Sequence, residues 1–223
     1  MKLLIEPLII FMVGFFPGLF FSLTNLSWES NQVLAFSQNQ EVFRIITYNV
    51  PILCLIWYFL LKEPIRSALG PLKPRKKDFF QAIKVMIGLL IIGASVSVII
   101  NLMIQNDVLG LHIPGIIPWV IILISCIITG YTEESYFRVY LINHLSLSGI
   151  PLNKALVSSC MLFALCHVYQ GPIGLLSSGL AGFFLSYVYI KRRSIHGIAL
   201  GHGLYNLLSY VLAHFYSVSG VSI

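Results

Sequence analysis

The chain has 223 residues, of which 57% are hydrophobic and only 10% charged, with a mean hydropathy of +0.88. A soluble domain carries roughly 25% charged residues, so a soluble monomer is excluded. The 14 Lys and Arg against 8 Asp and Glu leave a net charge of +6, but the basic residues lie between apolar runs, a pattern of membrane orientation and not of nucleic-acid binding.

At about 20 residues per crossing, this length holds roughly six to eight helices. The expected fold is an all-α, multi-spanning transmembrane helical domain of about seven to eight helices, covering residues 1–223 as a single integral membrane domain. Apolar runs predict spans near 8–24, 45–61, 82–104, 114–130, 155–168, 173–190 and 196–216, the fifth being short. An eighth span within 131–147 is the alternative. Pro51, Pro114, Pro118 and Pro172 can start, kink or break helices. The apolar stretch after Lys2 reaches about Leu23 without a small-x-small site, because Phe21, Ser22, Leu23 and Thr24 do not make one. It therefore reads as a retained first helix.

Charge then orients the spans. Lys62, Arg66, Lys73, Arg75, Lys76 and Lys77 crowd one loop and Lys191, Arg192 and Arg193 fill another, which places both in the cytoplasm. With seven alternating spans, Lys2 and Lys154 fall on that same side, while the opposite loops hold Glu29, Glu41 and Asp107, with Arg44 as the sole basic exception. The topology is N-in, C-out, and the run at 73–77 reads as a solvated topogenic loop beside anionic lipid. Cys54, Cys126, Cys160 and Cys166 lie in apolar stretches and never form CxxC, so they read as core packing and not as a zinc ribbon or disulfide framework. No internal repeat supports a transporter of two halves.

Ionisable side chains at membrane depth are costly and mark sites. Three places stand out. Glu133 and Glu134 follow a strongly apolar run, with Arg138 four residues after Glu134 in the favourable ion-pair order, while Glu133 points about 100° away on the helix. Phe163 lies one helical turn before His167, where its ring can limit the imidazole. His202 and Asn206 share one face of the last span, with Gly201 and Gly203 allowing another backbone or a substrate to approach. Each alone also reads as an interfacial cluster or an interhelical hydrogen bond. Together, an acid pair, a histidine and a His/Asn pair on three helices supply the parts for activating water and stabilising an oxyanion.

Glu133-Glu134-x-x-x-Arg138, Phe163-x-x-x-His167 and His202-x-x-x-Asn206, in this order and spacing, resemble the CPBP family of CAAX-prenyl-protease and bacteriocin-processing (Abi) intramembrane proteases. The resemblance covers about 130–210 and says little of 1–110. It implies a helical membrane core with a polar intramembrane cavity opening toward the cytoplasm, in which peptide bonds near a polypeptide terminus are hydrolysed. By this resemblance, Glu133 and His167 would hold and deprotonate the attacking water, and His202 and Asn206 would donate to the tetrahedral oxyanion, at ~3 kcal/mol per donor. Glu134 and Arg138 would brace the helix. In a strictly alternating arrangement His167 falls toward the outer face, so a tilted helix, or the added span at 131–147, must bring it to Glu133.

No cofactor is expected, and the alternative is zinc on Glu133, His167 and His202 with water in the fourth position. Membrane lipid and a peptide or lipidated-protein substrate are the expected partners, with no nucleic acid. The expected setting is a bacterial cell membrane. A non-catalytic immunity protein or peptide-binding scaffold is the competing reading, and a proton-relay transporter using Glu133 and His167 is a third. HExxH, membrane-embedded Asp pairs and Gly-x-Ser-Gly are absent from the sequence, which disfavours the other intramembrane protease chemistries. Ser177-Ser178-Gly179 reads as a close helix contact.

Overall fold

A computed structural model describes residues 2–16, 34–101 and 111–219. Among these residues eight helices form the fold. They are α1 (Lys2–Gly14), α2 (Gln38–Leu60), the single turn α3 (Ile65–Ala68), α4 (Lys76–Asn101), α5 (Ile116–Leu147), α6 (Leu152–Leu165), α7 (Gly171–Arg192) and α8 (Ile195–Ser219). The strands β1 (Leu34–Ala35) and β2 (Leu111–His112) add a two-residue parallel bridge. The expected all-α multi-spanning fold is the one found. Helices α2, α4 and α5 are long and apolar enough to cross a membrane. Their outward faces carry residues such as Phe43, Phe80, Ile91 and Ile117, all largely exposed, an apolar surface suited to lipid.

The segment 131–147 is not an added span. It continues α5, whose 32 residues extend about 48 Å against a hydrocarbon core of about 30 Å. Glu134, Arg138 and Asn143 interrupt the hydropathy of this stretch, but all three are buried against protein, so the helix has no reason to stop. Midway it widens into a π-helical segment at Ser135–Leu141, every residue of which is buried. A similar widening at Ile45–Asn49 precedes Pro51, whose missing N–H and bulky ring are relieved by a looser turn. Pro51 is thus held inside α2, whereas Pro118 and Pro172 occupy first turns and Pro114 precedes α5. The part of the first apolar run at 17–24, together with Glu29 and Asp107, lies outside the described residues.

The basic loops gather at one end of the bundle. There Arg193 donates to Asn143 Oδ1 at 3.0 Å, Asn143 Nδ2 donates to the Tyr189 hydroxyl at 2.8 Å and Ser194 donates to Asp78 at 2.7 Å. The N-terminal helix joins them through the Tyr136 hydroxyl, which donates to the Pro7 carbonyl at 2.8 Å, and the Tyr140 hydroxyl, which donates to Glu6 at 2.5 Å. At the opposite end the Ile113 N–H donates to His214 Nδ1 at 3.2 Å and Ser217 donates to the Leu111 carbonyl at 3.1 Å. The larger apolar core, with Phe11, Leu60, Tyr136, Phe137, Tyr140, Phe163 and Tyr189, sits toward the basic end. A smaller one of Ile113, Ile122 and Cys126 lies toward the other.

All four cysteines are free thiols. The packing role expected of them holds for buried Cys126 and fails for Cys54, which is exposed. On α2 the buried stripe is Ile52, Ile56 and Leu60, and position 54 faces away from it.

Candidate active site

Helix lengths bring the three motifs to one depth. From Leu147 back to Glu133 is about 21 Å along α5, and α6, with 14 residues, returns by about the same distance before the chain turns at His167. The sequence spacing had set His167 and Glu133 at different depths because it ended the fourth span near 130. Prolonging α5 removes that mismatch without a displaced helix. From Ser194 to His202 is about 12 Å along α8, and from Asn143 to Glu133 about 15 Å along α5, so the acids and His202 are level.

Glycine sets the lateral fit. A Cβ on Gly130 would stand 2.5 Å from the Ala199 carbonyl oxygen and 2.9 Å from the Gly203 nitrogen, and one on Gly203 would stand 2.9 Å from the Cys126 carbonyl oxygen. The two glycines let α5 and α8 approach backbone to backbone, directly beside Glu133, Glu134 and His202. Gly130 thus lies inside a continuous helix as a point of close approach to α8.

The polar cluster is held from within. Glu134 and Arg138 are both 0% exposed, with Arg138 Nε 3.2 Å from Glu134 Oε2, an ion pair whose angle falls short of a hydrogen bond. Glu134 Oε1 lies 2.9 Å from His202 Nδ1. A carboxylate can only accept, so Nδ1–H donates, and Nε2 is left facing Glu133 Oε2 at 3.8 Å. Glu134 thus orients His202 as well as pairing with Arg138, a bond across helices that sequence spacing does not reveal. Glu133 keeps 19% of its side chain exposed.

Phe163 is the hub of the remaining contacts. Its ring lies 4.7 Å from the His167 ring and 6.0 Å from that of His202, with the Arg138 guanidinium carbon 4.1 Å from its centroid. His167 Nδ1–H donates to the Phe163 carbonyl at 2.8 Å, which leaves Nε2 as the nitrogen free for chemistry. A Cβ on Gly182 would meet Phe163 at 3.2 Å and one on Gly179 would meet Ala164 at 3.8 Å, so the small residues of α7 do make a close helix contact, against α6. Ser177 and Ser178 both donate to the Gly174 carbonyl.

Glu133, Phe163, His167, His202 and Asn206 line one cavity of about 450 Å³. The same cavity is lined by Arg44, Ser125, Thr129, Tyr169, Gln170, Tyr205, Ser209 and Tyr210, none of which the motifs singled out. Arg44 is paired with Glu41 and donates to Ser125 at 3.1 Å. Its signal was the lone cation among otherwise acidic outer segments. Among the described residues no three His, Cys, Asp or Glu side chains converge to hold a metal ion. Glu133, His167 and His202 line the same cavity without converging as three ligands in this arrangement.

A family model described as type II CAAX prenyl endopeptidase Rce1-like matches residues 115–208, the stretch that holds every motif above and extends beyond 130–210 at its N-terminal side. The resemblance to the CPBP family is borne out over that stretch. No curated protein and no solved structure matches the chain.

Proposed function

We propose that this membrane protein, whose residues 115–208 match the Rce1-like family model, is an intramembrane endopeptidase that hydrolyses a bond near a terminus of a peptide or lipidated protein in a bacterial cell membrane. The observation that carries this reading is the convergence of Glu133, His167, His202 and Asn206 on one cavity. Water held between Glu133 and His167 Nε2 gives a proton to the Glu133 carboxylate as it attacks the scissile carbonyl carbon. The C=O electron pair moves to oxygen, and His202 Nε2–H and the Asn206 amide donate to that oxyanion. As the C–N bond breaks, Glu133 returns the proton to the leaving amine.

For His202 to donate from Nε2 while Nδ1–H is held by Glu134, it acts as an imidazolium. Its charge and that of Arg138 then balance the two carboxylates, so the quartet, buried except for the cavity-facing Glu133, is neutral overall. Burial without a balancing partner would be costly, and this arrangement avoids it. The scheme uses Asn206 and needs no metal.

The test is cleavage of a pooled set of lipidated and unlipidated terminal peptides by protein purified in lipid. Wild type cleaves at least one, and Asn206→Ala lowers kcat by about 10²–10³ while still binding it. Binding without cleavage by the wild type would replace this reading with the scaffold or immunity protein.

A further inference from the structure

We infer that the cavity receives its substrate from the side of the membrane opposite the basic loops, so that the peptide is one presented outside the cytoplasm and not a cytosolic terminus. This departs from the cytoplasmic opening that the family resemblance implies. Its substrate part rests on the peptidase reading above, but its orientation part does not.

The placement of the cavity carries the argument. On α5 its lining residues are Ser125, Thr129 and Glu133, all at the catalytic depth or nearer Ile116; on α8 they are His202, Asn206 and Tyr210, running from that depth toward Ser219. Arg44 adds a residue near the start of α2, the end remote from Lys62. The catalytic cluster is thus the floor of the cavity, and the walls rise from it away from the basic end.

Exposure agrees. Beyond the floor, toward the basic loops, Tyr136, Phe137, Arg138 and Tyr140 are fully buried and fill the helix interior. On the other side, Gln170 and Ser209 are exposed and the Arg44 side chain is 46% exposed, so the polar opening among the described residues lies there. That opening cannot be supplied from the basic end without dismantling the larger apolar core.

Charge fixes which side this is. The loop at 62–77 meets the segment after 191–193 at one end, where His196 Nε2–H donates to the Leu72 carbonyl at 2.9 Å and Ser194 donates to Asp78 at 2.7 Å. The sequence segments 17–37 and 102–115, which link α1 to α2 and α4 to α5, contain no Lys or Arg. Excess Lys and Arg retain loops in the cytoplasm, and the opening therefore faces outward. A substrate emerging on the outer surface, or the outer end of a membrane-anchored segment, can place a bond about halfway into the bilayer at Glu133.

The experiment uses the full chain with its four cysteines replaced by alanine, expressed in a bacterial inner membrane and treated with a membrane-impermeant maleimide. Gln170→Cys and Ser209→Cys are expected to label in intact spheroplasts, and Lys191→Cys only after permeabilisation. Labelling of the two cavity positions only after permeabilisation, or from neither side while Lys191→Cys reports correct insertion, overturns the inference. In parallel, peptide added outside intact spheroplasts carrying the native chain is expected to be cleaved, and not by Glu133→Gln. Outward labelling without cleavage of any peptide would sink the peptidase reading and leave the orientation standing; cleavage only after permeabilisation would sink the orientation alone.

Discussion

Replacing Gly130 with alanine tests the idea that backbone contact between α5 and α8 sets the catalytic geometry. The new Cβ would stand 2.5 Å from the Ala199 carbonyl oxygen and 2.9 Å from the Gly203 nitrogen, both main-chain atoms that no rotamer change can move. Ordinary contact needs about 3.5 Å, so the helices must separate by about 1 Å. The His202 Nδ1 to Glu134 distance of 2.9 Å then stretches to nearly 4 Å, beyond a hydrogen bond. A misplacement of that size costs about 10²-fold in rate, with overpacking destabilising the fold by about 1–3 kcal/mol. The assay is kcat on a cleavable peptide in lipid, normalised to folded protein from thermal unfolding. Gly179→Ala is the control, because its Cβ would meet Ala164 Cβ at an unstrained 3.8 Å and should leave kcat within about twofold. Wild-type kcat in Gly130→Ala would refute the reasoning.

Arg138→Met removes one partner of an ion pair whose side chains are both 0% exposed, and an unfolding curve in detergent should show a loss of about 3–5 kcal/mol. Arg138→Lys is expected to recover only part of it, since an ammonium lacks the planar stack 4.1 Å over Phe163; a neutral outcome in both variants would show that the pair is not structural. Phe163→Leu strips the ring that confines His167 and should lower kcat about tenfold, in line with aromatic contacts worth about 0.5–1.5 kcal/mol, with KM little changed. A rise in KM at constant kcat would instead make Phe163 a binding residue. Prolonged treatment with a strong chelator is expected to leave cleavage intact, and a loss restored by zinc would establish the metal scheme in its place.

Much of this architecture was legible because its signals are local. Apolar runs set the helices, and i,i+4 spacing set the Glu134–Arg138 pair and the shared face of His202 and Asn206. What escaped was relational. Hydropathy ended the fourth span near 130 because Glu133, Glu134 and Arg138 look like an interface, yet Glu134 and Arg138 are fully buried, Glu133 faces the cavity, and the helix runs on to Leu147. Sequence spacing within one helix also carries no information on the bond from Glu134 to His202, which depends on how closely Gly130 and Gly203 let two distant helices approach. Arg44 looked like an orientation exception, whereas its ion pair with Glu41 and bond to Ser125 place it on the cavity wall.

Glu133 and Glu134 are adjacent, yet one faces the cavity and the other is sealed against Arg138 and His202, so only the first is free to take a proton from water. The most direct measurement is single-turnover cleavage by Glu133→Gln in lipid, with peptide binding and unfolding recorded on the same sample. The glutamine keeps the shape and removes the base. A loss of at least about 10²-fold in the cleavage rate, with binding and fold retained, is the predicted result. Cleavage within about tenfold of wild type would contradict it, since a general base contributes about 10²–10⁴ and Glu133 would then not be that base.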